Sequence, residues 1–503
     1  MQTFYVENFG CRATQADGAA LSRQFRDRGL EQAAGFSQAQ IVVVNTCTVT
    51  DAADQEARAT IRRIHRANPD CRIVVTGCYA QRAPEELAAL PGVAQVIGNS
   101  HKHRLVDIVL PRADVVEPGR RAESASPATT DFVPLSRLAH GANGRISDPA
   151  PPTTAELAPI FVSDIFAHTQ LVAPLLDAAQ ERTRPILKVQ DGCDNRCSFC
   201  VIPYVRGSSR SLPLGRILEE LHRLIAAGYR EVVLSGINLG RWGRDLTRSE
   251  FGTQAGETAI TPERPHGLED LVRSILTHTS LEKLRISSVE PMDWTDEFIQ
   301  LVAESPRIAK HAHVPMQSAS DRILRRMHRK YRPWHYREKI RALRAAMPAA
   351  AIGADVMVGF PGETDRDFAE TMRTVEELPF TYLHVFPYSP RPGTKAAAMG
   401  EQVSLKVAEE RGRILRQLAG KKKSAFMRSL IGQSLEAITL ESRARKETER
   451  AGMRTRDGGF AEALTDNYLK LWLRGEHEPN CWLKAEIEDV EDGVLIGAAS
   501  ASH

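Results

Sequence analysis

The sequence predicts an α/β protein with three folded parts. These are an N-terminal parallel-sheet α/β domain over residues 1–115, a central partial (β/α)6 barrel over 181–417, and a small C-terminal β-barrel over 418–500. Three observations predict it. Continuous apolar runs alternate with helical stretches before residue 115 and again after residue 181, the pattern of parallel strands covered on both faces. Shorter runs separated by turn residues follow residue 430, as in a small barrel. Between the first two parts, residues 116–180 form a linker whose stretch 118–158 is rich in Pro, Gly, Ala, Ser and Thr, which can build little core.

At 503 residues the chain has room for about three such cores. Its 42% apolar and 26% charged residues are the balance of a globular protein. A net charge of +3 makes no global case for nucleic acid, so any basic footprint must be local. No apolar run approaches the ~20 residues of a membrane span. MQTFYVE at the start lacks the basic and apolar regions of a signal peptide. The expected compartment is the cytoplasm, which is reducing. The eight cysteines are therefore expected as metal ligands or catalytic groups rather than disulfides.

In the first part, Thr3–Glu7, Ile41–Val44 and Arg72–Val75 read as strands, with helices at Gly18–Arg28 and Asp51–Asn68. Ligands of a parallel sheet gather beyond the carboxyl ends of its strands. Cys11, Cys47 and Cys78 each fall just past such an end, so residues far apart in sequence are expected to converge on one edge. A small buried residue explains one such cysteine. Three at equivalent places point to a metal cluster. Cys71 precedes its strand, and it and Cys481 are expected to be structural.

In the linker, SASPATT (Ser124–Thr130) and DPAPPTT (Asp148–Thr154) read as a flexible joint, while Leu157–Leu176 is apolar enough to pack as strand or helix.

Six runs of the central part read as strands: Pro185–Val189, Glu231–Leu234, Lys283–Ser287, His311–Met316, Ile352–Val358 and Tyr382–Phe386. Intervening helices include Leu212–Ala227 and Leu268–His278. Right-handed crossovers give a curved, partly closed barrel, with its chemistry at the carboxyl ends of the strands. Directly after the first strand lies QDGCDNRCSFC (Gln190–Cys200), with Cys193, Cys197 and Cys200 at spacing C-x3-C-x2-C. A cubane iron–sulfur cluster has four irons, each wanting a thiolate. Three cysteines on one tight loop hold three of them and leave the fourth open to a small molecule. Zinc needs a fourth protein ligand, and no second cysteine or histidine pair lies nearby. Ser235 and Gly236, Glu290, Gln317 and Gly359–Thr364 follow later strands and are candidate ligand contacts, with Thr364 read as a helix cap.

The Cys193 loop, with Phe199 before its last cysteine, resembles the signature of the radical S-adenosylmethionine (SAM) enzymes. The resemblance implies that Cys193, Cys197 and Cys200 ligate a [4Fe-4S] cluster whose open iron is chelated by SAM. One-electron cleavage of SAM then yields a 5′-deoxyadenosyl radical. Phe199, Ser235, Gly236, Glu290 and Gln317 are the expected cofactor contacts. FGC (Phe9–Cys11), VNTCTVT (Val44–Thr50) and TGCYAQ (Thr76–Gln81) look like the N-terminal motifs of radical SAM methylthiotransferases. RISSVEP (Arg285–Pro291), HVPMQS (His313–Ser318), DVMVGFPGET (Asp355–Thr364) and FPYSPRPGT (Phe386–Thr394) resemble the core of that family. Together these cover most of the chain outside the linker and residues 244–265. They imply a second [4Fe-4S] cluster at Cys11, Cys47 and Cys78, which carries or activates the sulfur to be inserted. Where the family often has asparagine three residues after the first cysteine, this chain has Thr14.

Lys421–Lys423 and Arg428 fall on a helix leading to the last part, whose strand-like runs are Leu435–Leu440, Tyr468–Leu473, Trp482–Ile487 and Gly493–Ala498. The barrel looks like TRAM, the OB-like RNA-binding module of this family. Tyr468 and Trp472 either stack on bases or fill the barrel core. Arg443, Arg445 and Lys446 either hold phosphates or line a solvated loop. Arg391 and Lys395 face the same choice. The expected function is addition of a methylthio group to N6-threonylcarbamoyladenosine beside the tRNA anticodon. The expected partners are the anticodon stem-loop and a low-potential electron donor of flavodoxin or ferredoxin type, with no membrane. Rival branches of the family act on isopentenyladenosine in tRNA or on an aspartate of a ribosomal protein. A rival of another class is an RNA-binding protein whose iron–sulfur clusters never cleave SAM.

Overall fold

The structure, a computed structural model, describes residues 2–111, 157–168, 171, 183–247, 267–441 and 459–500. The chain divides into two compact units that are not consecutive in sequence. The first comprises Met1–Asp177, Asp191–Arg210 and Ser389–Ala398; the second comprises Ala178–Gln190, Ser211–Tyr388 and Met399–His503.

The first unit is built on a parallel sheet of β1 (Thr3–Asn8), β2 (Glu31–Gln32), β3 (Ile41–Thr46), β4 (Arg72–Gly77), β5 (Val93–Gly98) and β6 (Ile160–Phe161), in the order β2-β1-β3-β4-β5-β6. Every residue of β3 is buried. A strand covered on both faces must be apolar at successive positions, as Ile41–Val44 is. Val42 and Val44 pack with Ile61 and Ile64 on one face, and Ile41 and Val43 with Phe4 and Phe25 on the other. Ile61 and Ile64 belong to helix α2 (Asp51–Ala67), and Phe25 to α1 (Arg12–Asp27). Each such side chain stabilises the fold by about 1.5–3 kcal/mol on burial. The three expected strands are present. β2, β5 and β6 add to them, and β6 lies in the stretch expected as linker. SASPATT and DPAPPTT lie outside the described residues.

In the second unit, β7 (Ile186–Asp191), β8 (Arg210–Ser211), β9 (Glu231–Gly236) and β10 (Lys283–Ile286) form a sheet in the order β10-β9-β7-β8. A second sheet holds β11 (His311–His313), β12 (Ala351–Val358) and β13 (Tyr382–Pro387) in that order. Parallel bridges Leu284↔Ile308 and Ser288↔His313 join them. Six parallel strands thus run β7, β9, β10, β11, β12, β13, the partial barrel expected.

The last strands, β14 (Ser434–Thr439), β15 (Phe460–Thr465), β16 (Lys470–Arg474), β17 (Trp482–Glu491) and β18 (Val494–Ala499), close into a barrel in the order β14-β15-β16-β18-β17. β16 alternates exposed and buried residues, with Leu471 and Leu473 inward against Ala485, Ile487 and Leu495. Closure leaves no free strand edge. Among the described residues no helix is long and apolar enough to cross a membrane.

Candidate metal centres

β1, β3 and β4 are neighbours, and their registers pair Asn8 with Asn45 and Thr46 with Gly77. Their carboxyl ends therefore meet at one edge. Cys11 caps α1, Cys47 follows β3, and Cys78 opens α3 (Cys78–Arg82). Two glycines make the close approach. Gly10 has φ +85, and a Cβ there would lie 2.8 Å from Cys47 Sγ; on Gly77, at φ +103, it would lie 2.3 Å from the Thr46 carbonyl oxygen. Cys47 and Cys78 are buried and Cys11 is exposed. Burial pushes the Cys47 thiol up to about 12, and the neighbouring Cys78 and Cys11 push it the same way. Three thiolates crowded at a buried edge repel one another, and a bound metal centre removes that penalty by ligating them deprotonated. Thr14 Oγ1 lies 3.4 Å from Cys11 Sγ, and Asn99 Nδ2 donates to Cys78 Sγ at 3.6 Å.

Arg206, which the sequence reading missed, reaches the same edge from the Cys193 region. Its buried guanidinium pairs through Nη1 with Asp191 Oδ1 at 3.0 Å and through Nη2 with Asp17 Oδ2 at 3.1 Å. Burial works against the charged form, but Asp191, Cys78, Asp17 and Cys11 together hold Arg206 protonated well above the usual range. Its Nε is buried with no hydrogen-bond partner among the described residues. An unused guanidinium N–H in the field of two cysteines suits a sulfur acceptor, so the donor set fits an iron–sulfur cluster.

The Cys193 loop follows β7. Gly192 turns the chain at φ +72, where a Cβ would lie 1.9 Å from the Ser208 carbonyl oxygen. Cys193 N donates to Gly207 O at 3.1 Å, and Cys200 N to Cys197 O at 3.1 Å. Cys193, Cys197, Cys200 and Phe199 are partly exposed, as ligation with one open position requires. The helix Ile202–Arg206 comes next, and Val201 and Val205 pack against Cys78. Asn99 Nδ2 also donates to Val205 O at 2.8 Å. Both three-cysteine sets thus belong to the first unit. Arg391 joins that unit too, and neither expectation for it holds. It is buried and ion-paired with Asp54, which also takes Arg82 at 2.9 Å. Lys395 is exposed. Cys71 is buried in the sheet core, and Cys481 Sγ donates weakly to Pro479 O at 3.7 Å.

The remaining candidates lie in the second unit. Ser235 is buried at the end of β9. A Cβ on Gly236 would stand 3.0 Å from Gln190 Oε1, which accepts from Asn238 N at 2.7 Å, so this glycine admits Gln190. Glu290 pairs with Arg329. Gln317 has φ +60, a left-handed backbone costing about 1–3 kcal/mol in a non-glycine residue. β12 holds it there: Gln317 N donates to Asp355 O at 2.8 Å and Met357 N to Gln317 O at 2.9 Å. Its buried Oε1 has no hydrogen-bond partner among the described residues. Thr364 is a cap, its hydroxyl accepting from Asp367 N at 3.3 Å.

Tyr468 is half-buried. It turns the chain before β16 at φ +68, with its ring 4.9 Å from that of His311 and 5.3 Å from the Arg285 guanidinium. Trp472 remains 37% exposed. Arg443, Arg445 and Lys446 lie outside the described residues.

Residues 3–98 match a model of the uncharacterized protein family UPF0004, and residues 187–375 one of the radical SAM superfamily. The chain is 33% identical over 478 residues to the threonylcarbamoyladenosine tRNA methylthiotransferase MtaB of Bacillus subtilis (strain 168), covering 95% of this chain and 92% of that one. It is 33% identical over 472 residues to the protein of the same name from Aquifex aeolicus (strain VF5), covering 94% and 97%. The tRNA-2-methylthio-N(6)-dimethylallyladenosine synthase of Novosphingobium aromaticivorans is 31% identical over 439 residues, covering 87% and 86%. Among solved structures, the radical SAM methyltransferase TsrM from Kitasatospora setae, with cobalamin and a [4Fe-4S] cluster bound, shares the fold. Its TM-score is 0.50 at 16% identity, over 79% of this chain and 77% of that one.

Proposed function

This chain belongs to the radical SAM methylthiotransferase family, and from that premise we propose that it adds a 2-methylthio group to N6-threonylcarbamoyladenosine next to the tRNA anticodon. The family brings a [4Fe-4S] cluster and SAM, which when bound supply a 5′-deoxyadenosyl radical for hydrogen abstraction. We assign that cluster to Cys193, Cys197 and Cys200. We assign a second [4Fe-4S] cluster, the source of the inserted sulfur, to Cys11, Cys47 and Cys78. The observation that carries this is the convergence of those three cysteines on one sheet edge, in the same compact unit as the Cys193 loop.

The chain's own residues then have definite tasks. Arg206, fixed by Asp17 and Asp191, holds a positive charge beside Cys11 and Cys78 and offers its Nε–H to sulfur. Thr14 and Asn99 orient Cys11 and Cys78. Gly192 and the Cys193 N–H to Gly207 O bond set the shape of the second loop. Phe199, Ser235, Gly236, Glu290 and Gln317 are assigned to SAM, and the buried Gln317 Oε1 is an acceptor with no partner among the described residues. The closed C-terminal barrel over 418–500 is assigned to RNA as a TRAM domain, following the N-terminal part over 1–115, the linker over 116–180 and the radical SAM core over 181–417. We assign the anticodon stem-loop as substrate, a low-potential donor of flavodoxin or ferredoxin type as electron source, and the cytoplasm as the compartment.

A second reading, action on dimethylallyladenosine, is favoured by relatives of that name at 31% identity. The two separate in one experiment. Protein reconstituted with iron and sulfide under anaerobic conditions is given SAM, reductant and one of two anticodon stem-loops, carrying either nucleoside. The expected result is a methylthio product on the threonylcarbamoyl substrate alone. Product only on the dimethylallyl substrate establishes the second reading instead.

A further inference from the structure

We infer that His313, Asp355 and His384 form a binding site for a divalent transition-metal ion, built from none of the eight cysteines. The site does not depend on which nucleoside the enzyme modifies. The three residues come from adjacent parallel strands, β11, β12 and β13. The strand registers pair His313 with Gly353 and Asp355 with His384. His313 Nε2 and His384 Nδ1 each lie 3.3 Å from Asp355 Oδ1, and the three donor atoms fall within 4.8 Å of one another. A separation of 3.3 Å exceeds the ordinary N–H···O distance of about 2.7–3.2 Å. It equals the edge, about 3.3 Å, of a tetrahedron of ligands at about 2.0 Å from zinc.

The surroundings are those of a ligand set. His313 is buried, and its Nδ1 lies 2.9 Å from Ser288 Oγ. With Nδ1–H donating to that oxygen, Nε2 presents its lone pair toward Asp355. That Nε2 is buried and has no hydrogen-bond partner among the described residues. Metal-ligating histidines are held in the same way, with the second ring nitrogen tied to an oxygen. The Tyr382 ring stacks on that of His313 at 6.0 Å and fixes its plane. Gly353 makes this possible, since a Cβ there would lie 2.0 Å from the Tyr382 ring. His384 is 64% exposed, so the third ligand leaves the remaining coordination open to water. Two imidazoles, one carboxylate and an open side suit Zn2+ or Fe2+.

The test uses the full-length protein with its iron–sulfur clusters reconstituted, equilibrated anaerobically with Zn2+ and passed over a chelating resin. Zinc and iron are counted per chain, and zinc ligation is read by X-ray absorption. The expected result is one retained zinc with nitrogen and oxygen ligands only. His384→Ala changes an exposed side chain and is expected to lose that zinc while keeping the iron count. Ser288→Ala is expected to weaken zinc binding by about 10–100-fold. The inference is overturned if no zinc is retained, if the zinc has sulfur ligands, or if His384→Ala holds it as tightly as the parent. The first of those outcomes would mark the trio as a hydrogen-bonded His–Asp–His relay.

Discussion

Arg206 concentrates the chemistry of the first unit in one side chain. Its guanidinium satisfies Asp17 and Asp191 and still has an N–H to spare beside Cys11 and Cys78. Arg206→Met removes a guanidinium that two buried carboxylates share, although Asp17 keeps Lys102 Nζ at 3.1 Å; the expected cost is about 3–5 kcal/mol, to be read as a lowered Cm in chemical denaturation. Arg206→Lys keeps the charge but lacks the fork that serves both carboxylates and sulfur. In a background with Cys193, Cys197 and Cys200 replaced by Ala, its remaining cluster is expected to show a lower midpoint potential, because a hydrogen bond to sulfur is gone. An unchanged potential would show that the Nε–H serves no sulfur. The cysteines themselves separate by function. Cys193→Ala is expected to abolish 5′-deoxyadenosine formation from SAM. Cys47→Ala is expected to retain it, yield no thiomethylated RNA, and lower the iron count from about eight to about four per chain.

At the scale of elements, the helix Asp365–Glu377 shows how much a short motif fixes. Thr364 and Asp367 form a reciprocal capping box, and Asp367 also takes hydrogen bonds from Arg322 and Ser320. Burial acts to raise the Asp367 carboxyl, but these donors hold it well below the usual range. A depressed carboxylate contributes stability above its unfolded pKa of about 3.9 and loses it as pH falls through the folded value. Asp367→Asn is therefore expected to be less stable than the parent at neutral pH, with the gap narrowing below about pH 4 in thermal melts. A gap independent of pH would contradict this. Thr364→Ala is expected to cost about 1 kcal/mol. Caps of this kind, and strands such as Ile41–Val44 and Arg72–Val75, are legible because local residues decide them. β5 escaped that reading because Gln95 interrupts its apolar run, and β15 because Glu462 and three small or polar residues do the same. Both strands exist through their neighbours in the sheet. Tyr468 misled in the opposite sense: aromatic and expected to open a strand, it occupies a left-handed turn with its ring against His311 and the Arg285 guanidinium.

Across the whole chain, the compact units do not follow sequence order. Residues 191–210 and 389–398 fold with the first unit, in which Arg206 pairs with Asp17 and Arg391 with Asp54. Such pairs span hundreds of residues and leave no local signal, so a consecutive division into domains misses them. Within the second unit, the C-terminal barrel is fastened to the core through Lys283 and Glu436 at 2.6 Å, Arg285 Nη1 to Asp466 O at 2.8 Å, and Asn467 Nδ2 to Ala349 O at 3.0 Å. The cysteine sets were legible because their strand-end positions follow from the fold class, whereas Gln317 showed its strained backbone and orphaned oxygen only in three dimensions. If the barrel grips RNA, Trp472→Ala is expected to weaken binding of the anticodon stem-loop by about 1–3 kcal/mol, measured by filter binding, with SAM cleavage in the absence of RNA unchanged. The most direct measurement is mass spectrometry of tRNA nucleosides from cells with and without this protein. Loss of 2-methylthio-N6-threonylcarbamoyladenosine, with its unthiolated precursor accumulating, is the result predicted; an unchanged level of that nucleoside in the deletion strain would contradict it.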